Sequence, residues 1–445
     1  MFGTSGIRGT VGERVTGELA VAVGRAVASD GHERVVVGRD TRETGSLLLD
    51  GVSTGLRECG ADVVDVGVEA TPTVARAVGD FGADAGVVVT ASHNPPEDNG
   101  FKLWTPSGQA FDEPQREAVS RRIREDDYDL ASWRETGDRS ERTDAAERHA
   151  AAILDATPPV SDVSVAVDVG NGAGQLTARV LEDLGCSVST LNAQPDGRFP
   201  ARPSEPTEET LETLSAYVAS TDHDLGVAHD GDADRMMALD EDGVFLEGDE
   251  LLALFARDVA GDGDEVAVPL NTSMLVQDVL ADVGASTVRT PVGDVFVAER
   301  ASEPGVVFGG EPSGAWIWPE ETLCPDGPLA AARLAALVDE RGPLSSLRAD
   351  LGRYPLRRDS VETDEKAAVV DRVESTVAAE YDDVQGLDGV RVTVDDGWFL
   401  VRASGTQPLV RVTAQARDDE AVDARFSEAR ELVEAARENV ERRTD

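Results

Sequence analysis

Residues 86–96 read GVVVTASHNPP, in which small and β-branched apolar residues pass directly into a polar loop. The pattern returns as LGVAHDGDADR at residues 225–235 and as GVVFGGEPSG at residues 305–314. Each stretch completes one scheme, in which a Val-rich strand, a helical stretch, a second strand and a second helical stretch precede the third strand. The first 340 residues therefore predict three βαβαβ units.

The apolar periodicity places three strands in each unit, and helical stretches of the first unit around residues 47–57 and 74–78. The predicted strands are 34–38, 62–67 and 86–92 in the first unit, 163–168, 187–191 and 225–228 in the second, and 265–270, 286–290 and 305–308 in the third. Because open α/β sheets bind ligands at the carboxyl ends of their strands, we expect the three polar loops to face one shared site.

The C-terminal part follows a different pattern. Residues 389–416 read GVRVTVDDGWFLVRASGTQPLVRVTAQA, which predicts a meander of strands broken at Asp-Gly and Gly-Thr turns. A helix is predicted from about Asp419 to Arg442. These elements predict a separate, smaller α+β domain. Polar stretches place the boundaries near residues 155, 255 and 360, giving domains 1–155, 156–255, 256–360 and 361–445.

The charge of the chain is strongly negative. It has 86 acidic and 41 basic residues, a formal charge of −45 spread along the whole length. Repulsion from phosphate backbones makes nucleic acid an unexpected partner. Only Lys102 and Lys366 are lysines, and the acidic, lysine-poor composition predicts a halophilic protein in a salty cytoplasm, where screening weakens self-repulsion.

Cysteine usage and hydropathy predict a cytoplasmic protein. The three cysteines, Cys59, Cys186 and Cys324, are far apart and form neither a disulfide framework nor a CxxC metal pair. No apolar run reaches the roughly 18 residues that a membrane-spanning helix needs. We therefore expect no membrane association and no secretion.

The loop after the strand of residues 86–92 carries Ser92, and Asn94 and Pro95 favour a turn that would lift its hydroxyl into solvent. Taken alone, such a serine is more often a helix cap or turn former. Lys102 follows shortly after, in a chain that uses arginine nearly everywhere. A compact ammonium that donates or accepts a proton is one reason to keep it.

The loop of residues 229–235 is more specific. Asp230, Asp232 and Asp234 alternate, so their carboxylates share a face and would repel one another without a cation. Oxygen ligands favour Mg²⁺ over zinc. A calcium EF-hand would match Glu241 at the twelfth position, but Arg235 stands where that loop needs glycine. A solvated acidic turn stays an alternative.

Three further glycine-framed segments offer binding groups. Residues 309–314 bring Glu311 and Ser313, which suit vicinal sugar hydroxyls. Residues 402–411 supply two arginines, two hydroxyls and backbone amides within ten residues, which suit a phosphate dianion, although a hairpin with surface arginines is an equal alternative. Residues 4–9 carry Arg8.

Together and in this order, the motifs resemble the α-D-phosphohexomutase superfamily over essentially the whole chain. They are FGTSGIRG at 2–9, GRDTR at 38–42, TASHNPP at 90–96, NGFKLW at 99–104, DVGNGAG at 168–174, PDGRFP at 195–200, DGDADR at 230–235, TPVGD at 290–294, GGEPSG at 309–314 and RASGTQP at 402–408. The resemblance implies three similar α/β/α domains with mixed sheets and a smaller α+β C-terminal domain around a central cleft.

The resemblance also implies site residues and cofactors. Ser92 would be the phosphoserine and would hold Mg²⁺ with Asp230, Asp232 and Asp234. A sugar 1,6-bisphosphate would be the intermediate and activator. The other implied residues are Arg8 and Lys102 for proton transfer, His93 for supporting the serine, Arg235, Glu311 and Ser313 for substrate, and Arg402, Ser404, Gly405, Thr406 and Arg411 for the idle phosphate.

Within the superfamily the pattern looks most like archaeal proteins of the phosphoglucosamine mutase type, so we expect interconversion of glucosamine 6-phosphate and glucosamine 1-phosphate. Phosphomannomutase and phosphoglucomutase share the motifs and stay alternatives, as does a metal-dependent sugar phosphatase. A non-catalytic sensor should have lost the serine or an aspartate. Ala315 and Gln407 depart from the histidine and glutamate of many relatives. The expected partner is a hexose phosphate, and the chain is expected to be a monomer or homodimer.

Overall fold

The computed structural model describes residue 3 and residues 6–404 and 407–444, which form four sheets in succession along the chain. The first three sheets are mixed and covered by helices, and the fourth is antiparallel. The predicted architecture of three α/β/α domains followed by a different C-terminal domain is confirmed.

The first domain contains a six-stranded sheet in the order β1-β5-β4-β2-β3-β6. Val35 and Val37 pack against α1 and α2, whereas Val36 between them packs on the opposite face against α3, as the two-residue period of a strand requires. The elements are β1 (Ile7–Thr10), α1 (Gly17–Ser29), β2 (Arg34–Arg39), α2 (Gly45–Glu58), β3 (Asp62–Val68), α3 (Thr71–Asp80), β4 (Ala85–Val89), β5 (Asp98–Trp104), α4 (Glu113–Glu125) and β6 (Arg139–Glu141).

The second domain contains a four-stranded sheet in the order β10-β9-β7-β8. Its elements are α5 (Ala145–Ala156), β7 (Ser164–Asp168), α6 (Gln175–Leu184), β8 (Ser187–Leu191), a 3-10 turn (Glu209–Leu211), α7 (Glu212–Ala219), β9 (Leu225–His229) and β10 (Met236–Leu239). β9 is buried along its whole length, so the acidic loop that follows it starts inside the protein.

The third domain repeats that plan in the order β12-β11-β13-β14. Its elements are α8 (Gly248–Val259), β11 (Glu265–Pro269), α9 (Met274–Asp282), β12 (Ser286–Thr290), α10 (Asp294–Ala301), β13 (Val306–Glu311), β14 (Ala315–Ile317), α11 (Gly327–Arg341) and α12 (Leu344–Ala349). One continuous hydrophobic core joins the second and third domains, with Val167 and Trp316 among its members.

The C-terminal domain packs two helices on a five-stranded antiparallel sheet in the order β15-β19-β18-β17-β16. Its elements are β15 (Leu356–Glu362), α13 (Lys366–Val377), β16 (Val384–Gln385), β17 (Val390–Val394), β18 (Gly397–Ala403), β19 (Leu409–Ala416) and α14 (Asp419–Thr444). No helix in the described parts of the chain is long and apolar enough to cross a membrane.

The structure departs from the sequence predictions at the third strand of each unit. β4 ends at Val89, not at Ser92, because Ser92 has a positive φ of 52°, which a strand cannot accommodate. β13 continues to Glu311, so residues 309–311 belong to a strand and not to a loop. Each α/β/α domain also has a short antiparallel strand that the periodicity did not predict, namely β5, β10 or β14.

Candidate active site

The serine loop, residues 90–98, lies against the second domain. The Ser92 hydroxyl donates a hydrogen bond of 2.6 Å to Asp230 Oδ2, and the residue is 2% exposed. The expectation of a solvent-exposed hydroxyl was therefore wrong, because the loop after β9 covers the serine. A non-glycine residue with positive φ is strained and marks a position where geometry matters.

The aspartate loop, residues 229–235, follows β9 and gathers three buried carboxylates. Asp230, Asp232 and Asp234 each offer an oxygen within 4.8 Å of the others. Ala233 has a positive φ of 55°, and this bend helps to turn alternate side chains to one side. Gly231 passes so close to the Ser92 carbonyl oxygen that a Cβ atom there would lie 2.7 Å from it.

Lys102 on β5 provides the positive charge nearest to this cluster. Its Nζ lies 2.8 Å from Asp232 Oδ2 and also contacts Asp234 Oδ2. Burial disfavours the ammonium, but the Asp232 and Asp234 carboxylates outweigh burial and raise the pKa of Lys102 above its usual value. The side chain therefore stays charged and acts as a fixed cation.

The carboxylates differ in the direction in which their pKa values are shifted. Burial, and then the neighbouring Asp232 and Asp234, raise the pKa of Asp230 well above the usual range. Burial acts the same way on Asp232, but Lys102 outweighs it and lowers the pKa of Asp232. The Asp232 Oδ1 atom is buried without a hydrogen-bond partner among the described residues. An unsatisfied carboxylate oxygen beside two others and a hydroxyl fits a hard cation such as Mg²⁺.

Positively charged groups surround the serine on its other sides. Arg8 on β1 reaches Asn94 Oδ1 of the serine loop at 3.5 Å. Burial, followed by the charges of Arg235 and Arg8, lowers the pKa of His93 to about 2, so its imidazole is neutral. The structure thus brings Arg8, His93, Lys102 and Arg235 into the neighbourhood of Ser92.

The sugar loop, residues 309–314, comes from the third domain. Ser313 Oγ donates to Glu311 Oε2 at 2.9 Å, and Glu311 is 8% exposed. Burial, and then Asp294, raise the pKa of Glu311, while Arg235 opposes this rise. The Met236 amide donates to the Gly314 carbonyl at 3.0 Å, which joins this loop directly to the end of the aspartate loop.

The phosphate loop, residues 402–408, belongs to the C-terminal domain. Arg402 pairs with Asp388 at 2.6 Å, and Arg411 lies opposite Arg402 on β19. Within residues 6–404 and 407–444, no hydrogen bond or ion pair joins Arg402, Ser404 or Arg411 to the serine or aspartate loop. Gly405 and Thr406 lie outside the described residues.

Sequence reasoning missed several residues that contact this site. Thr71 at the start of α3 donates its hydroxyl to Asp232 Oδ2 at 2.6 Å, and its amide bonds the Asp232 carbonyl. No local pattern marks this threonine. Asp40 and Arg42 lie directly behind the serine loop, and the GRDTR motif was the available signal for them.

The chain matches four domain families described as phosphoglucomutase/phosphomannomutase. The α/β/α domains I, II and III match residues 1–129, 147–243 and 247–354, and the C-terminal domain matches residues 360–432. Together these matches extend over most of the chain.

Individual relatives match over nearly their whole length. Two are named probable phosphoglucosamine mutases. The one from Methanopyrus kandleri is 46% identical and covers 94% of each chain. The one from Methanococcoides burtonii is 44% identical and covers 98% of this chain and 99% of the relative. A crystal structure of a phosphoglucomutase/phosphomannomutase family protein from Burkholderia thailandensis is 28% identical, covers 98% of each chain and superposes with a TM-score of 0.88.

Proposed function

Since the chain belongs to the phosphoglucomutase/phosphomannomutase family and is a phosphohexose mutase, we propose that it interconverts glucosamine 6-phosphate and glucosamine 1-phosphate through a phosphoserine at Ser92. The choice of sugar is supported by the names of the relatives that are 44 to 46% identical. The role of Ser92 is supported by one observation, the hydroxyl 2.6 Å from a buried carboxylate in a cluster of three.

In the proposed reaction, phosphorylated Ser92 gives its phosphoryl group to the free hydroxyl of the sugar phosphate. The Ser92 Oγ–P bond breaks, an O–P bond to the sugar forms, and the sugar hydroxyl loses its proton. The product is a sugar bisphosphate. After the bisphosphate turns around, Ser92 Oγ attacks the other phosphate, which restores the phosphoserine and releases the isomeric monophosphate.

The three aspartates, with an oxygen on Ser92, would hold the Mg²⁺ ion. When bound, that ion neutralises charge on the transferring phosphoryl group. Lys102 contributes a second positive charge, already fixed by Asp232 and Asp234. Because its pKa is raised, Lys102 stays protonated and serves as a hydrogen-bond donor and fixed charge, and not as a general base or a proton source.

We assign binding of the idle phosphate to the phosphate loop, with Arg402, Ser404, Gly405, Thr406 and Arg411. Glu311 and Ser313 would bind sugar hydroxyls, and Arg235 would face the substrate between these groups and the aspartates. Ala315 is buried on β14 opposite Glu311 and offers no acid or base where relatives carry histidine. The proton of the sugar hydroxyl therefore leaves through another group or through water.

The test is a comparison of kcat/KM for the 6-phosphates of glucosamine, mannose and glucose and for a pentose phosphate, each with a catalytic amount of its bisphosphate. The proposal predicts the highest value for glucosamine 6-phosphate. A higher value for mannose or glucose 6-phosphate would replace the proposed sugar and leave the phosphoserine mechanism in place.

A sugar phosphatase is the second candidate, because Ser92 and the aspartates alone could pass phosphate to water. Free phosphate without any 1-phosphate would favour it. Binding both ends of the substrate is needed only by a mutase, and the phosphate loop supports the mutase.

We retain three further predictions from the sequence: a cytoplasmic location, adaptation to high salt, and a monomeric or homodimeric state. The predicted domain boundaries near residues 155, 255 and 360 would cut α5, α8 and β15, so we propose that the second, third and C-terminal domains begin just before these elements.

A further inference from the structure

We propose that Arg42 and Arg202 are positioning residues that hold the serine loop and the aspartate loop against each other and so set the distance from Ser92 Oγ to Asp230. This inference rests on the proposed function of Ser92. Both arginines bind backbone carbonyls of these loops and not the Ser92 hydroxyl or the three carboxylates, and each is paired with a buried aspartate of its own domain.

Arg42 uses all five of its N–H donors inside the first domain. Its Nε donates to Asp40 Oδ2 at 3.0 Å. The other four donors bind carbonyl oxygens of the serine loop, those of Ser92 at 2.8 Å, Asn94 at 2.6 Å, Pro95 at 2.5 Å and Asp98 at 2.8 Å. One planar guanidinium therefore holds the backbone of the serine loop from residue 92 to residue 98. Arg42 is fully buried.

Asp40 holds the serine loop on the amide side of Ser92. Its Oδ2 accepts the Thr90 hydroxyl at 2.7 Å, and Thr90 Oγ1 accepts the Ser92 amide at 2.8 Å. The amide and the carbonyl of Ser92 are thus both tied to the Asp40 and Arg42 pair. Such bracing explains how a serine can keep a φ of 52°.

Arg202 makes the equivalent arrangement in the second domain. Its Nε donates to Asp168 Oδ2 at 2.8 Å, and its Nη2 donates to the His229 carbonyl at 2.7 Å, directly before Asp230. A Cβ atom on Gly170 would lie 2.5 Å from Arg202 Nη2, so the backbone leaves room for the guanidinium and for little else.

The two arrangements meet at one atom. Arg202 Nη1 donates to the Ser204 carbonyl at 3.3 Å, and the Ser204 hydroxyl donates to the Ser92 carbonyl at 3.0 Å. The same carbonyl accepts Arg42 Nη2. Hydrogen bonds therefore connect Asp40 and Arg42 to the Ser92 carbonyl and, through the hydroxyl and the backbone of Ser204, to Arg202 and the residue before Asp230.

The chemistry of these two buried ion pairs indicates that they position the loops more than they stabilise the fold. Side chains of both pairs are at most 4% exposed, and buried ion pairs often add little stability compared with apolar residues of similar size. They do fix geometry, because a guanidinium has rigid donor directions that lysine lacks. Displacing a reacting atom by about 1 Å can cost roughly 100-fold in rate.

The test uses Arg42→Lys and Arg202→Lys in the full-length chain. Each is expected to lower kcat about 100-fold while KM changes less than about threefold, because the reacting oxygen and not the substrate grip is displaced. Single-turnover phosphorylation of Ser92 by the sugar bisphosphate, followed by intact mass, should slow by the same factor. The matched control is Arg348→Lys, which removes a guanidinium bound to Glu250 at 2.8 Å in the third domain and should stay within about twofold.

Two further measurements test the proposal if a lysine variant folds poorly. The double variant should lose about tenfold less than the product of the single losses, because both arginines act through one carbonyl. In Arg42→Ala, millimolar methylguanidine should restore kcat about tenfold, whereas methylamine should not.

Lysine variants with kcat within about threefold of wild type would overturn the proposal, as would losses that match only the unfolded fraction seen by circular dichroism. Wild-type turnover reports separately on the proposed function, because the variants are compared on whichever hexose phosphate the wild type accepts.

Discussion

At the scale of single residues, the site depends on buried carboxylates whose negative charge is offset in part by one buried lysine. Asp230, Asp232 and Asp234 are each at most 4% exposed, and Lys102 is the cation that contacts two of them. Burying a carboxylate without a partner is costly, so Lys102 is the charge that makes Asp232 and Asp234 tolerable here. The Ser92 hydroxyl enters this cluster through its bond to Asp230.

Replacing the nucleophile gives the first prediction. Ser92→Ala is expected to lower kcat by about 1000-fold or more, because the hydroxyl that carries the phosphoryl group in the proposed reaction is removed, with folding unchanged. Steady-state turnover and circular dichroism measure the two effects. Ser107→Ala, at an exposed serine, is the control. A near-normal rate in Ser92→Ala would remove the phosphoserine mechanism.

Removing the fixed cation gives the second prediction. In EDTA, Lys102→Met should lose about 3 kcal/mol of unfolding free energy, because Asp232 and Asp234 are left unpaired. Mg²⁺ should restore part of this loss by neutralising the same carboxylates. Urea unfolding with EDTA and with Mg²⁺ measures the difference.

Lys366→Met is the matched control, since Lys366 donates to carbonyls of the phosphate loop and should show no such Mg²⁺ dependence. The raised pKa of Lys102 means that its stabilisation is fully present below its unfolded pKa and constant between about pH 6 and pH 9. Equal stability of Lys102→Met and wild type in EDTA would contradict the assigned charge pairing.

At the scale of elements, the first residue of a helix lies against a loop of the candidate site. Gly248 begins α8, and its backbone lies against the Pro312 carbonyl of the sugar loop. Gly17 begins α1 in the same way but faces open space. The two glycines therefore occupy equivalent helical positions with opposite surroundings.

This contrast gives the third prediction. Gly248→Ala should lose about 2 kcal/mol of stability, because a Cβ atom there overlaps the Pro312 oxygen and the loop must move. Glu311 and Ser313 flank Pro312, so KM should rise more than kcat falls. Thermal unfolding and steady-state kinetics measure both.

Gly17→Ala is the control, and its stability should change by about 0.5 kcal/mol or less. Equal losses of stability in Gly248→Ala and Gly17→Ala would show that the contact between α8 and the sugar loop has room for a Cβ atom.

At the scale of the whole molecule, the amide of Gln415 is one of several contacts that dock the C-terminal domain on the third domain. Gln415 Oε1 accepts the Ser273 hydroxyl at 3.0 Å, the Met274 amide at 2.8 Å and the Trp398 indole N–H at 3.2 Å. Arg391 donates its Nη1 to the carbonyls of Leu270 and Thr272 in the third domain. These contacts hold the domain that carries the phosphate loop.

Removing this acceptor gives the fourth prediction. Gln415→Ala should cost about 2 kcal/mol, because buried donors lose their partner. Hydrogen exchange at the Met274 amide should also accelerate. Gln277→Ala, at an exposed position of α9, is the control. Unchanged exchange at Met274 would argue against Gln415 as a docking contact.

Much of the fold could be predicted from the chain because its signals are local. Runs of valine predicted strands such as Arg34–Arg39 within a residue or two, and residues 389–416 predicted the antiparallel C-terminal sheet. The short strands β5, β10 and β14 were not predicted, because three to seven residues in a buried hairpin carry too little periodicity.

The sequence alone determined the three repeated units, the polar loops at their strand ends and the residue types those loops offer. Only tertiary structure decided that Ser92 is buried, that its hydroxyl meets a carboxylate 138 residues away, and that Thr71, Arg42 and Arg202 support the meeting. The physical reason is range: strand and turn preferences act over a few residues, whereas these hydrogen bonds join residues far apart in sequence, within a folded domain for Arg42 and Arg202 and between domains for Ser92 and Thr71.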